Sequence, residues 1–328
     1  MSDSTHRIIT LARHEYRSAV RSRILIVLLG ILVTVTAVSV YIASVDYASK
    51  LADYQAYVNA AKNSGLDRIA PSPLAALSLL RGAMEYLEII GAVIAIALGY
   101  LTVSRERTNR TLPLIRSRPV TSGELATGSL LGALGVIATL VAVTAVVGIV
   151  CVGTIGHDWI NATQALKLFL GYLSAIVYMG AFYCLGAIAT AKSRVAANGL
   201  MIALGIWLIV VLVLPQIGDT MDADNQIPGG LFKALGLGHD GEVQILTHFT
   251  TYERIRTWTE EASLAKHFER FSFAMTDVKE RYRPFSLPWL LGQTRNDIGW
   301  LIAYSAALYA GLRRTFRNQP TIPQGGTQ

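Results

Sequence analysis

Between Leu125 and Ile155 the chain runs for 31 residues without a charged side chain. A helix of about 20 apolar residues spans a hydrocarbon core about 30 Å thick. A water-soluble domain has no use for an element so long and so uniformly apolar. Four further runs are comparable: Ile24–Val45, Tyr86–Ser104 with Glu88 as its one internal charge, Leu168–Ala191 and Val195–Gly218. A sixth, Ile298–Leu312, is flanked by Asp297 and by Arg313 and Arg314. It reaches only about 22 Å as a helix. Composition agrees. Hydrophobic residues make up 52% of the 328 positions and charged residues 16%, against roughly 25% charged in an ordinary soluble domain. So little charge could not clothe two soluble cores, and two cysteines exclude a disulfide scaffold or a Cys-rich metal centre.

The basic residues give an orientation. With the N-terminus inside, segments 1–23, 105–124, 192–194 and 313–328 carry a net charge of +11. The longer segments 46–88, 156–167 and 216–297 carry −4. Both termini are thus expected in the cytoplasm. The +7 net charge of the chain belongs to these short loops, and no nucleic-acid partner is expected. The predicted fold is an all-α integral membrane protein with six transmembrane helices. The expected divisions are a cytoplasmic amphipathic helix over 1–23, spans one to five over 24–215, an extracytoplasmic helical insert over 216–297, span six over 298–312 and a cytoplasmic tail over 313–328.

Three segments outside the spans carry pattern. In residues 5–23, Ile8, Leu11, Ala12, Tyr16, Ala19 and Val20 share a face, while Arg13, Arg17 and Arg21 form a ridge. That predicts a helix lying along the anionic inner leaflet. Residues 105–124 are rich in arginine, broken by Pro113 and Pro119, and restart at a cap at Thr121 or Ser122. Between Glu242 and Arg283 apolar residues recur every three or four positions with no Gly or Pro, which predicts amphipathic helix in two pieces. That insert is either a cap packed on the spans or a surface for an extracytoplasmic partner or exit gate.

The chemistry of an enzyme is missing. No G-x-x-x-x-G-K-[ST], H-E-x-x-H or G-x-S-x-G pattern occurs, so the chain is expected to bind no nucleotide, metal or cofactor of its own. Glu85 and Glu88, one turn apart near the outer end of span two, are candidates for a substrate path, because carboxylates in a span carry function by default. Gly128-x-x-x-Gly132 on span three signals close helix packing.

The order of a basic N-terminal helix, six spans and a loop between spans two and three resembles the ABC-2 type transporter permeases. In that loop stand Glu106, Thr111-Leu112, Arg118-Pro119-Val120 and Glu124, followed by Gly128. Ala191-Lys-Ser-Arg194, followed by Asn198-Gly-Leu and Gly205-Ile-Trp, is similar to the NosY-like group, named for maturation of a multi-copper enzyme. The resemblance implies an export pore built from two copies of the chain that meet through spans one and five. Two separate ATPase subunits would dock beneath, using ATP and Mg. It places coupling to the ATPase in loop 105–124, at Arg105, Glu106, Arg107, Thr111, Leu112, Arg118, Pro119 and Glu124. The alternative is a plasma-membrane scaffold whose insert recruits an envelope partner.

Overall fold

The computed structural model of the protein describes residues 3–64, 75–108, 121–222, 227, 230–237, 239–278, 282–283 and 285–318. The described regular structure is helical throughout. Helix α1 (Asp3–Val20) leads into α2 (Arg23–Asn63). After a 3₁₀ turn, α3 (Arg81–Tyr86) and α4 (Ala92–Thr108) are joined by a π segment at Leu87–Gly91. Then come α5 (Ser122–Thr154) and α6 (Ala162–Lys192). Helices α7 (Ala196–Trp207) and α8 (Leu214–Met221) are joined by a second π segment at Leu208–Val213. Short helices α9 (Leu231–Ala234) and α10 (His239–Leu246) precede α11 (Thr250–Glu261), α12 (Leu264–Met275), α13 (Leu287–Gln293) and α14 (Arg295–Asn318).

Five of these units are long and apolar enough to cross a membrane: 23–63, 76–107, 122–154, 162–192 and 196–221. They contain the first five expected spans. The expected sixth, 298–312, lies within α14, a 24-residue helix that is not among those five. Its composition explains why: Arg295 and Asp297 at one end and Arg313, Arg314 and Arg317 at the other leave a short apolar middle.

Helix α6 is the axis of the bundle, packed by α4, α7, α12 and α14. Tyr178, Met179, Tyr183 and Cys184 on it are buried. Lipid offers helices no hydrophobic reward for meeting, so close approach depends on small residues. At the α4–α6 crossing a Cβ on Gly99 would fall 2.3 Å from the Tyr183 carbonyl oxygen, and one on Gly186 would fall 2.5 Å from that of Ile96. Any side chain at either position would part the two helices. The outward faces keep large apolar residues exposed, among them Ile42, Val146, Phe169, Met201 and Ile209, as a lipid-facing surface requires.

Two ends can be distinguished. The Arg107 end gathers α1, the end of α4, the start of α5 and the last turns of α14. The first and last described helices therefore meet the same end. The Asp158 end holds the link between Tyr47 Oη and Asp158 Oδ2 at 2.8 Å.

The packing of two elements outside the spans goes beyond what the sequence pattern discloses. Helix α1 does not lie across the end of the bundle. It runs parallel to the first half of α5, with Arg7 against Glu124, Leu11 against Gly128 and Glu15 against Gly132. Each pair is one helical step of four residues beyond the last. The Gly128–Gly132 stripe draws α1 in, because only a residue without a Cβ leaves room for its backbone. Helices α11 and α12 form a hairpin whose turn reaches into the bundle. Phe268 stacks on Tyr178 with centroids 4.7 Å apart, midway along α6. Near the hairpin's other end, Lys167 Nζ meets Asp277 Oδ1 at 2.9 Å. Almost every residue of α12 is buried. Its Phe268, Phe271, Phe273 and Met275 are all buried, although Lys266, Glu269 and Arg270 lie on the same helix.

Candidate functional site

The helices on either side of segment 109–120 are both tied to α1. On one flank Thr121 caps α5: its Oγ1 accepts from the Glu124 amide at 3.2 Å, and its own amide donates to Glu124 Oε2 at 2.8 Å. This capping box turns the other carboxylate oxygen toward Arg7, whose Nη2 and Nε donate to Oε1 at 2.9 and 3.2 Å. On the other flank, Arg105 at the end of α4 donates to Glu15 Oε1 at 2.7 Å and to Ser18 Oγ. Thr102 Oγ1 donates to the same Glu15 oxygen at 2.6 Å. Glu15 is buried, so its charge needs these partners. Arg107 reaches elsewhere. Its two terminal nitrogens donate to the carbonyls of Ala191 and Ser193 at 2.6 and 2.8 Å. A cation at the end of α6 both satisfies orphan carbonyls and complements the helix dipole.

Four of the sequence candidates thus lie among the described residues at this end: Arg105, Glu106, Arg107 and Glu124. Glu106 is half-buried on the last turn of α4. Thr111, Leu112, Arg118 and Pro119 lie outside the described residues. Arg7 and Glu15, which complete the arrangement, were not among the candidates. Their signal was their place in the helix: each faces α5 or α4 in register with the glycine stripe, and only the packing discloses that register.

A second polar region lies inside the bundle toward the Asp158 end. Glu85 and Glu88, paired in the sequence, part company here. Glu85 stays exposed and accepts from Arg81 Nε at 2.7 Å. Glu88 sits in the first π segment and is 9% exposed, with Lys266, Glu269, Asp219 and Glu85 as its charged neighbours. Lys266 Nζ donates to Asp219 Oδ1 at 2.8 Å and Glu269 Oε2 at 2.9 Å. Burial works against the Lys266 ammonium. The carboxylates of Glu269 and Asp219 outweigh that cost and hold its pKa above the ordinary lysine value.

Both π segments, whose wider turns leave carbonyls in need of donors, are mended by side chains, one from the hairpin and one from α6. Ser263 Oγ donates to the Val210 carbonyl at 2.6 Å in the second. Tyr178 Oη, packed under Phe268, donates to the Glu88 carbonyl at 2.9 Å in the first. His267 pins the turn to α14. Its Nδ1 lies 2.9 Å from Asp297 Oδ1, and its Nε2 lies 3.0 Å from the Glu261 carbonyl oxygen. Lys266, His267 and Glu269 escaped the sequence reading because charges in a presumed outer loop look solvated. The aromatic run around them was the available sign of burial.

Among the described residues no three metal-ligating side chains come together. The described residues thus form a fixed linkage at one end and a charged interior toward the other. No protein of curated function matches the chain. The profile of the ABC-2 family transporter proteins matches residues 9–317, from within α1 to the last turn of α14. With its apolar spanning helices, the chain is therefore a multi-pass membrane protein that belongs to the ABC-2 transporter family.

Proposed function

We propose that the chain is the membrane-spanning subunit of an ABC-2 type exporter, driven by a separate ATPase that docks at the Arg107 end. The observation that carries this reading is the double tie of α1. Arg7–Glu124 and Glu15–Arg105 join α1 to the helices on both sides of segment 109–120. A load applied to that segment passes at once into α1, α4 and α5, and Arg107 extends the path to the end of α6. Charge pairs suit this work because they fix orientation.

In this reading α14 is the sixth span, both termini are cytoplasmic, and the Arg107 end faces the cytoplasm, as its basic loops favour. One chain supplies half of the pore, and a second copy completes it. The hairpin α11–α12 enters from the outer side. There Glu88 and Lys266 line the region a solute would cross, and their polar heads favour a polar head group over a purely apolar solute. The NosY-like features at Ala191–Arg194 and Asn198–Leu200 are the grounds for the narrower grouping.

The test is isolation of the tagged chain from its native membranes. A separate ATPase with a Walker motif should accompany it, and a variant with both ties cut, Arg7→Ala with Glu15→Ala, should lose that partner while remaining folded. Isolation of the intact chain with no ATPase, under conditions that keep its lipid, would leave the scaffold reading ahead.

A further inference from the structure

At the Arg107 end, where α14 finishes beside the start of α5, a cavity of about 300 Å³ is lined by Ser122, Gly123, Ala310, Arg313, Arg314 and Arg317. Three guanidinium groups share its wall, and no carboxylate does. The nearby Glu124 is turned away, engaged with Arg7 and with its own cap. The cap satisfies the Glu124 amide, whereas the first-turn amides of Ser122 and Gly123 have no intrahelical acceptor. The wall is held in place. Tyr309 Oη and Thr127 Oγ1 share a hydrogen bond of 2.7 Å between α14 and α5, and Arg313 lies over the Tyr309 ring. A Cβ at Gly123 would come within 3.2 Å of the Arg313 guanidinium, so glycine there keeps the cavity open to the arginines.

A second feature begins where the cavity ends. Ala310 lines the cavity and is also the last of an exposed apolar strip on α14. Ile302, Ala303, Ala306 and Ala307 continue that strip on the same face, all exposed. It runs about 12 Å along the helix. Its small alanines give a strip of hydrocarbon-compatible surface leading toward the arginines. A basic, concave pocket continued by an apolar strip matches a molecule with an anionic phosphate at one end and an acyl chain at the other.

We propose that this pocket binds one anionic phospholipid, with its phosphate on Arg313, Arg314 and Arg317 and an acyl chain along Ala310, Ala307 and Ala303. A free phosphate would use the arginines but not the strip. In the topology given above the lipid comes from the cytoplasmic leaflet. The site does not depend on transport, so it is tested on the purified chain without any ATPase, and its failure would leave the exporter reading untouched.

The experiment is titration of the delipidated full chain in neutral detergent with phosphatidylglycerol and, separately, phosphatidylcholine of the same acyl chains, read by native mass spectrometry. Phosphatidylglycerol should bind preferentially. R313Q/R314Q/R317Q should weaken it about a hundredfold, the sum of three near-surface arginine contributions. Ala307→Trp keeps every charge and puts a bulky ring across the strip, and it should also weaken binding. R13Q/R17Q/R21Q removes the same charge from the exposed ridge of α1 and should leave the bound lipid in place. Equal binding of the two lipids, or an equal loss in the α1 variant, would overturn the site. Full displacement by millimolar inorganic phosphate, with Ala307→Trp without effect, would reduce it to a plain anion site and likewise overturn the lipid proposal.

Discussion

Glu15 and Gly132 meet so closely that no side chain fits between them. A Cβ on Gly132 would lie 2.7 Å from the Glu15 Cβ and 2.6 Å from the Ala12 carbonyl oxygen. That approach puts the Glu15 carboxylate within reach of Thr102 and Arg105 on α4. The glycine therefore sets the position of an ion pair on a different helix. Gly132→Leu should push α1 away from α5 and cost about 1–3 kcal/mol, the usual price of overpacking. Gly205→Ala, with nothing within 4 Å of its Cβ, should be neutral or slightly stabilising. Thermal unfolding in detergent, with protease cleavage at Arg13 and Arg17 as a gauge of α1 release, separates the two.

The buried cation at Lys266 makes a second prediction. Lys266→Met takes the ammonium away from Asp219 and Glu269, and losing one partner of such a partly buried charged contact costs about 1–3 kcal/mol. The pH dependence has a definite sign. Because the Lys266 pKa is raised in the folded chain, its contribution is complete below the ordinary lysine pKa. It is lost only as pH rises through the raised value, so it stays constant from about pH 6 to 9. The melting-temperature gap between wild type and variant should therefore hold steady from about pH 6 to 9, and a gap that vanishes within that window would contradict the assignment.

The sequence carries much of this architecture and little of its depth. Charge-free runs such as Leu125–Ile155 announce spanning helices on length alone, because a bilayer sets that length. Thr121 and Glu124 announce the start of α5, since a capping box is a local interaction three residues wide. The placement of α12 was hidden. Lys266, Glu269 and Arg270 look like a solvated face until Asp219, Glu260 and Asp297 are brought to them from other helices. Such pairings are long-range and leave no periodic trace. Glu88 shows the same limit: its spacing from Glu85 suggested a shared role, and the π segment gives the two residues different environments.

Topology gives a third prediction. On a background with Cys151 and Cys184 replaced, a single cysteine at Thr250 on α11 should react with an impermeant thiol reagent in intact cells. One at Ser4 on α1 should react only after permeabilisation. The positive-inside distribution of the short loops predicts this order, and the reverse pattern would invert the assignment of both ends.

The central claim is that α1 transmits between segment 109–120 and the bundle through its two ion pairs. The most direct measurement is ATP hydrolysis by the reconstituted complex, with ATPase pull-down alongside, for Arg7→Glu, for Glu124→Arg and for the exchanged pair Arg7→Glu/Glu124→Arg. Each single variant sets like charges against each other at a 2.9 Å contact. Each should lose ATPase binding or the response of hydrolysis to solute, and the exchanged pair should recover most of it. Single variants that bind and hydrolyse as wild type would contradict the account, as would an exchanged pair no better than either alone.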